Sequence, residues 1–427
     1  MNLDKKRLLV LGGNVETASL VKKANSLGVH TIVVDPNPEA PAKKISNESY
    51  EVDGLDVEAL YELSKNLNLD GVLVGVADIL VPSYQKLANM LNFPSYANDE
   101  IAKTLCFKDE FSIACKKYGI ETIPSYQIDT ENKIEEINDD EFPLMVKPID
   151  NGAGVGMSIA WNKNDLVESI QHAIKNSAKG KFIVERYMTC DDMLAYYTFK
   201  NGEAFLSAAA DRITTKKQGD VSPVCIGAIY PTKYLNIFIK IVHPMLLNLF
   251  KGLNIQNGVL NIQFFVEDNK FYAYDPGFRL QGEAPHIPIN AVNGFDSREM
   301  LINYALTGSM GISDLSARND CNFRNKFTST LWILLNAGTI QKIHGLDDIK
   351  KDISTIDVIQ RFNEQDIVTD TMVGNERQVF ARIYILEDSV KKLKEKIKWV
   401  NNTLSIIDSS GNNMIVDTLD SEGLRGY

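Results

Sequence analysis

Cysteine is scarce in this sequence of 427 residues, and its five cysteines are scattered. They are Cys106, Cys115, Cys190, Cys225 and Cys321. Because no two of them form a Cys-x-x-Cys pair, the pattern indicates neither a zinc site nor a framework of disulfides. Isolated thiols are typical of proteins that stay in a reducing cytosol, which predicts a cytoplasmic location.

Long hydrophobic runs are also absent. The apolar run Leu8–Leu11 is too short for the apolar segment of a signal peptide. The stretch Ile237–Phe250 is interrupted by Lys240 and His243, and it falls short of the roughly 20 residues that cross a bilayer. We therefore expect no membrane partner.

The chain lacks an excess of positive charge: 45 Lys and Arg stand against 56 Asp and Glu, a formal net charge of −11. A general nucleic-acid binder needs a dense basic face, so we expect no nucleic-acid partner. The net charge does not exclude a local basic pocket for a small anion. With 44% hydrophobic and 24% charged residues, the composition is that of a soluble globular enzyme, and the length suits about three domains.

The first 95 residues read as alternating strands and helices. The apolar run Arg7–Leu11, the turn Gly12-Gly13-Asn14 and a helical pattern closed by Gly28 lead to a second run, Thr31–Val34. This order predicts a small open parallel α/β sheet. Asp35, after the second run, lies where a ribose-binding acid would stand, but a Gly-x-Gly-x-x-Gly spacing is missing, so the indication of a dinucleotide is weak. The favoured alternatives are a turn that faces some other substrate and a turn that faces no ligand.

From residue 96 the pattern becomes α+β with antiparallel hairpins. Asp99–Lys117 is helical by period, and Asn201-Gly202 and Asp268-Asn269 each lie between a pair of alternating runs. Short strand-like runs and a Lys-rich helix at Ser389–Asn401 follow from about Phe327. We predict three domains: residues 1–95, residues 96–326 (lobes 96–185 and 186–326) and residues 327–427.

A predicted strand presents Lys147 directly before glycines at 152, 154 and 156. Backbone N–H groups of such a loop can surround phosphate oxygens while the lysine supplies positive charge. The alternative is a hairpin loop whose glycines serve only turn geometry. The strand Phe182–Glu185, which precedes Asp191 and Asp192, would suit the edge of a purine, although the two acids could equally cap a turn.

A third cluster lies on two neighbouring strands. Gln263 and Asp275 could present oxygens to Mg²⁺, and Arg279 could steady a phosphoryl group. The simpler interpretation is a salt bridge between Asp275 and Arg279 at a sheet edge.

These segments, in this order, resemble the ATP-grasp superfamily, and the resemblance covers most of the chain. It implies an α/β domain of residues 1–95, an α+β ATP-grasp fold over 96–326, and a C-terminal α+β domain like that of the biotin-carboxylase and dipeptide-ligase branch. It also implies ATP with Mg²⁺, or Mn²⁺, as cofactors, and a homodimer, since members of this branch are often dimers.

Matched by motif, the nucleotide-binding residues would be Lys108, Lys147, the lid Gly152, Ala153, Gly154, Val155, Gly156 and Met157, the hinge Glu185, Arg186 and Tyr187, and the ribose acid Asp192. Arg279 and Lys147 would be catalytic. Gln263, Asp275 and Glu283 would hold the metal, and Arg212, Arg279 and His286 would face the substrate.

Two residues depart from the family pattern. Gln263 stands where the family usually has a glutamate, and Gly277 where it usually has an asparagine. A second metal should therefore bind more weakly unless another acid substitutes; Asp211, Glu267 and Glu283 are candidates, with Glu283 preferred.

The resemblance implies a ligase that joins a small carboxylate to an amine through an acylphosphate, releasing ADP and phosphate. Two alternatives remain open: a carboxylase- or carbamoyl-type enzyme that uses bicarbonate, and a nucleotide-binding subunit without catalysis.

Overall fold

The computed structural model describes residues 3–128, 131–149, 155–215, 221, 223–424 and 426–427. The helices are α1 Val15–Ser26, α2 Val57–Ser64, α3 Val81–Met90, α4 Asp99–Cys106, α5 Lys108–Lys117, α6 Glu131–Glu135, α7 Lys163–Lys175, α8 Leu235–Ile241, α9 His243–Gly252, α10 His286–Asn293, α11 Ser297–Thr307, α12 Leu315–Arg318, α13 Leu346–Lys351 and α14 Val390–Thr403. Over these ranges, we find no helix with the length and apolar character of a membrane span.

The strands are β1 Arg7–Leu11, β2 His30–Val34, β3 Glu48–Tyr50, β4 Gly71–Val74, β5 Ser125–Tyr126, β6 Leu144–Pro148, β7 Ser158–Ala160, β8 Phe182–Arg186, β9 Asp191–Lys200, β10 Glu203–Thr214, β11 Cys225–Tyr230, β12 Gly258–Glu267, β13 Lys270–Gly277, β14 Phe327–Leu335, β15 Gly338–His344, β16 Thr355–Gln360, β17 Ile367–Val368, β18 Val379–Glu387, β19 Ser405–Asp408 and β20 Ile415–Asp417.

The N-terminal sheet is parallel, in the order β3-β2-β1-β4. Strands β1, β2 and β4 are buried along almost their whole length, as expected when helices cover both sides, whereas the edge strand β3 is partly exposed. Asn14 caps the N-terminus of helix α1, and its side chain accepts a hydrogen bond from the backbone N–H of Thr17 at 2.8 Å. The turn after β1 and the segment after β4 therefore emerge at the same, carboxyl-terminal edge of the sheet.

The middle of the chain forms two antiparallel layers. A small sheet has the order β5-β8-β6-β7, and helix α7 packs on it. A larger sheet begins with β13-β12-β9-β10-β11. Its two hairpin turns place Asn201, Gly202, Asp268 and Asn269 at positive φ, which is the geometry of tight hairpins and explains these residue types.

The larger sheet does not end at residue 326. Strand β11 pairs with β14, and the order continues through β18 to β16, with β20 also paired to β14. The C-terminal section adds a separate three-stranded sheet, β17-β15-β19. Hydrogen bonds of one sheet therefore cross the predicted boundary near residue 326. The division into three domains stays a prediction.

One apolar core joins the N-terminal sheet to helices and strands of the middle section, and a second lies under the C-terminal strands. The predicted helix over 99–117 is two helices, because Phe107 has an extended backbone (φ −121°, ψ 124°) that separates α4 from α5. The predicted fold class, a small parallel α/β sheet followed by α+β sheets, is confirmed.

Candidate active site

A cleft of about 430 Å³ lies between the small sheet and the edge of the larger one. Lys147 on β6 and Glu185 on β8 line one wall, and Lys108 at the start of α5 lines the other. The register of β6 and β8 puts Lys147 and Glu185 on the same face of the small sheet. Three residues predicted to bind the nucleotide thus share this cleft.

Lys147 and Glu185 form an ion pair, with Nζ 2.5 Å from Oε2 and each side chain 17% exposed. Each charge partly neutralises the other in a half-buried position. The pair therefore keeps a lysine and a carboxylate ready at the wall of the cleft, where a phosphate and an amino group of a nucleotide could engage them.

The predicted hinge residues link the two lobes. Arg186 donates to Glu267 on β12 at 2.5 Å, and its guanidinium lies 5.6 Å from the ring centroid of Tyr272. The backbone N–H of Tyr187 donates to the carbonyl of Pro143 at 3.1 Å. These contacts join the end of β8 and the segment after it to β12 of the larger sheet and to the residue that precedes β6.

Half of the predicted lid can be located. Gly152, Ala153 and Gly154 lie outside the described residues. Val155 is exposed, and Gly156 has a φ of +74°. A Cβ added at Gly156 would come within 2.6 Å of the Asn176 side chain, so only glycine fits this turn before Met157 and β7.

Gln263 and Asp275 are directly opposite each other on the antiparallel strands β12 and β13. Opposed residues share a face, so both side chains offer oxygens on the same side of the sheet. The Nζ of Lys108 lies 3.2 Å from Asp275 Oδ1, and the charge of Asp275 raises the pKa of Lys108 above its usual range. A position that already attracts an ammonium, with an amide and a carboxylate oxygen beside it, fits one divalent cation.

Glu283, the third predicted metal ligand, is paired with Arg212. Its side chain is buried, and its Oε1 accepts from Arg212 Nε at 2.5 Å. Arg212 also donates to Asp192 at 2.9 Å. Among the described residues, no group of three His, Cys, Asp or Glu side chains has the arrangement of a metal site. The predicted metal set of Gln263, Asp275 and Glu283 stays a prediction, in which Glu283 would have to exchange its partner Arg212 for the ion.

Asp192, Arg212 and Glu283 form a buried cluster instead. The hydroxyl of Tyr274, which lines the cleft, donates to Asp192 at 3.1 Å. Burial raises the pKa of Asp192 to about 6, although the neighbouring Arg212 opposes this. The predicted ribose contact of Asp192 and the predicted substrate contact of Arg212 stay predictions, since both side chains are engaged with each other.

His286, at the start of α10, is buried beside a small cavity of about 30 Å³. Neither ring nitrogen has a hydrogen-bond partner among the described residues. Burial lowers the pKa of His286 to about 3, so the ring is neutral at physiological pH. The cavity is large enough for a water molecule between His286, Gln281 and Arg382.

Several residues that the sequence analysis did not single out meet at the junction of the three sections. Glu16 in the first turn of α1 accepts from Arg361 at 2.5 Å and from Arg382 at 3.3 Å. Beside them, Asn14, Asp35 and Arg377 line a second cleft of about 370 Å³. The local indications of this cleft in the sequence were the glycine turn before α1 and Asp35 after β2.

Arg279 follows β13 and is held at both terminal nitrogens. Nη1 donates to the carbonyl of Leu280 at 2.8 Å, and Nη2 donates to Asp78, which follows β4. The predicted salt bridge between Asp275 and Arg279 is not formed; Lys108 pairs with Asp275 instead. Asp275 and Arg279 are therefore both anchored by other segments of the chain.

Two protein families match the sequence. Residues 5–99 match the ribonucleotide synthetase pre-ATP-grasp domain, and residues 108–296 match the ATP-binding domain of the carbamoyl-phosphate synthase L chain. A curated relative, the formate-dependent phosphoribosylglycinamide formyltransferase of Prochlorococcus marinus, is 29% identical over 193 residues. That match covers 44% of this chain and 48% of the relative, so the chain spans about half the length of the curated relatives it matches.

Solved structures extend the likeness to almost the whole chain. Phosphoribosylglycinamide synthetase from Anaerococcus prevotii superposes with a TM-score of 0.76 at 21% identity, covering 95% of this chain and 100% of that one. An L-amino acid ligase from Bacillus licheniformis gives a TM-score of 0.75 at 15% identity, covering 95% and 99%. At these identities the structures show the fold. The resemblance to the ATP-grasp superfamily inferred from the motifs is thereby confirmed: residues 5–99 match a pre-ATP-grasp domain, residues 108–296 match an ATP-binding domain, and the solved structures show the same fold. ATP-grasp enzymes use ATP with Mg²⁺.

Proposed function

We propose that this protein is an ATP- and Mg²⁺-dependent ligase that joins a small carboxylate to an amine. The observation that carries the proposal is that Lys108, which lines the cleft together with Lys147 and Glu185, pairs with Asp275. Gln263 lies opposite Asp275 in the neighbouring strand. Such a site concentrates positive charge and oxygen donors where a triphosphate would lie. The curated relatives, named as formyltransferases that depend on formate, support a small acid as one substrate.

In the proposed reaction, a carboxylate oxygen attacks the γ-phosphorus of ATP, and the bond to the β-phosphate oxygen breaks to release ADP. The amine then attacks the carbonyl carbon of the acylphosphate, loses a proton, and displaces phosphate to leave an amide. Lys108, Lys147 and Arg279 would hold the phosphate oxygens during the first step. Gln263 and Asp275 would hold Mg²⁺, which neutralises phosphate charge when bound.

The second cleft is a suitable place for the larger, amine-bearing substrate. It lies where the pre-ATP-grasp section meets the C-terminal strands, and it offers Arg361 and Arg377 beside the carboxylates of Glu16 and Asp35. Charges of both signs suit a molecule that carries an amine and an anionic group. The buried, neutral His286 and its cavity lie on the other side of Glu16.

Phosphate release from ATP and Mg²⁺ tests the proposal. We would measure it across a panel of amino acids, small carboxylic acids and bicarbonate, each with and without an amine. Release that requires both an acid and an amine is the expected result. Release with bicarbonate alone would favour a carboxylase- or carbamoyl-type reaction, and ATP binding without release in any mixture would favour a non-catalytic subunit.

The proposal includes a cytoplasmic location and a homodimer, as inferred from the sequence and its resemblance. Light scattering on the purified protein tests the dimer, and a mass of one chain at working concentrations would contradict it.

A further inference from the structure

Arg279 and Asp78 join two sections of the chain that are 201 residues apart in sequence. Asp78 lies just beyond β4, at the carboxyl-terminal edge of the N-terminal parallel sheet. Arg279 lies just beyond β13, two residues after Gly277 and four after Asp275. A carboxylate from the pre-ATP-grasp section thus reaches the part of the candidate active site where Asp275 and Arg279 lie.

Gly277 leaves the space through which Asp78 reaches this position. A Cβ added at Gly277 would lie 3.0 Å from Asp78 Oδ1 and 2.7 Å from Asn261 Nδ2. Asn261 is opposite Gly277 in the register of β12 and β13, and its Nδ2 donates to the Gly277 carbonyl at 2.9 Å. A Cβ at position 277 would therefore require the amide of Asn261 to shift and would press on the carboxylate of Asp78.

The Asp78–Arg279 pair is partly shielded from water, with the Asp78 side chain 38% exposed. Asp78 Oδ1 and Arg279 Nε are both buried without a hydrogen-bond partner among the described residues. The Arg279 side chain is 15% exposed. Because the guanidinium is planar and its two terminal nitrogens are both engaged, its orientation is fixed by Leu280 on one side and by Asp78 on the other.

We propose that Asp78 is a positioning residue, which enters over Gly277 and orients the guanidinium of Arg279 toward the terminal phosphate of ATP. The proposal rests on the proposed function to the extent that Arg279 is taken to contact the transferred phosphoryl group. It also gives a reason for glycine at position 277, because the side chains of Asp78 and Asn261 lie within 3.0 Å of where a Cβ of residue 277 would be.

A second ion pair between the same two sections provides a control. Lys23 on α1 lies 2.9 Å from Glu299 on α11, so it also ties the N-terminal section to the ATP-grasp section. Neither residue lines the nucleotide cleft. If Asp78 served only to hold the two sections together, loss of its pair with Arg279 would have the same effect as loss of the pair between Lys23 and Glu299.

The test compares Asp78→Asn and Gly277→Ala with the control Glu299→Gln. Asp78→Asn keeps the shape and removes the charge, whereas Gly277→Ala keeps every charge and crowds Asp78. For each variant we would measure kcat and KM in the phosphate-release assay, the dissociation constants of ADP and of a non-hydrolysable ATP analogue, and the melting temperature.

The expected result is a loss of at least about tenfold in kcat for Asp78→Asn and Gly277→Ala, with a rise of up to about tenfold in KM for ATP. The affinity for the triphosphate analogue should fall about tenfold while that for ADP stays within about twofold. Glu299→Gln should match the wild type in all of these except melting temperature.

The proposal is overturned if Asp78→Asn binds the triphosphate analogue and turns over as Glu299→Gln does. A Gly277→Ala variant that fails to fold leaves this decision to Asp78→Asn. If the wild-type protein releases no phosphate with any acid and amine, the proposed function fails, but the comparison of triphosphate and diphosphate affinities still decides whether Asp78 positions Arg279.

Discussion

Lys147 Nζ lies 2.5 Å from Glu185 Oε2, across neighbouring strands of the small sheet. The ammonium and the carboxylate face the cleft together, and each is 17% exposed. A bound nucleotide would therefore meet a preformed pair rather than two independent surface charges. This pair is the most direct point at which to test the nucleotide site.

Lys147→Ala should abolish ATP consumption while leaving the fold intact. Loss of a charge-assisted contact of roughly 1.5–3 kcal/mol would weaken nucleotide binding by about tenfold or more. Nucleotide titration and phosphate release measure the two effects. The control is Lys163→Ala, which removes a surface ion pair with Glu135 in the same lobe. Full activity in Lys147→Ala would refute the assignment.

Asp275→Ala should also abolish ATP consumption with the fold retained. The change removes a predicted metal ligand and the partner that raises the pKa of Lys108. Phosphate release checks the loss of activity, and circular dichroism checks the fold. Asp314→Ala removes an exposed acid that pairs with Arg318, and this control should remain active. An active Asp275→Ala protein would place the metal elsewhere.

Gln263→Glu should keep or strengthen the use of Mg²⁺. A carboxylate opposite Asp275 would add a negative charge to the predicted cation site, so we expect several-fold tighter binding. Calorimetric titration of Mg²⁺ into the ADP complex measures it. Gln256→Glu, which changes an exposed residue hydrogen-bonded to Asn254, is the control. Weaker binding in Gln263→Glu would argue that Gln263 is not a ligand.

Arg212→Met should destabilise the protein by about 3–5 kcal/mol, because it leaves two buried carboxylates, Asp192 and Glu283, without their cation. Urea unfolding measures the change in the free energy of unfolding. Arg318→Met breaks an exposed pair and should lie within about 1 kcal/mol of the wild type. Unchanged stability in Arg212→Met, together with weaker substrate binding, would instead support the substrate contact predicted from the sequence.

His286 should make the protein less stable as the pH falls from about 6.5 toward 3. Its pKa is lowered to about 3 in the folded state, so the unfolded chain binds a proton that the folded chain does not. That difference adds about 1.4 kcal/mol per pH unit to the slope of the free energy of unfolding against pH within this window. Melting temperatures of His286→Gln between pH 4 and 7 should fall less steeply than those of the wild type.

The matching control is His344→Gln, which changes an exposed histidine on β15. It should retain the wild-type slope over the same pH range. Equal slopes for the wild type and His286→Gln would mean that His286 takes up its proton in the folded protein as it does in the unfolded chain.

Much of the local structure was predictable because it follows from short-range patterns. The order strand, glycine turn, helix, strand at residues 7–34 is observed as β1, α1 and β2, and Asn201-Gly202 and Asp268-Asn269 form the predicted hairpin turns. The paired placement of Gln263 and Asp275 was also predicted correctly, since two strands joined by a tight turn must be neighbours.

The contacts that cross between sections were not predictable from local pattern. Glu16 pairs with Arg361 and Arg382, which are more than 300 residues away in sequence. The spacing of these residues does not predict the two ion pairs. Glu283 was expected at the metal, but Arg212 holds it in the core. Asp78 had one weak local indication, its place beyond the carboxyl end of a parallel strand.

The pairing of β11 with β14 has a consequence for how the protein can be divided. All six residues of β11 are buried, and its outer edge pairs with β14, the strand that begins at Phe327. A fragment that stops before this strand would expose an apolar, unpaired edge, which is the geometry that seeds aggregation. Preparations for crystallography or labelling should therefore keep the C-terminal strands, and cuts should be sought in surface turns.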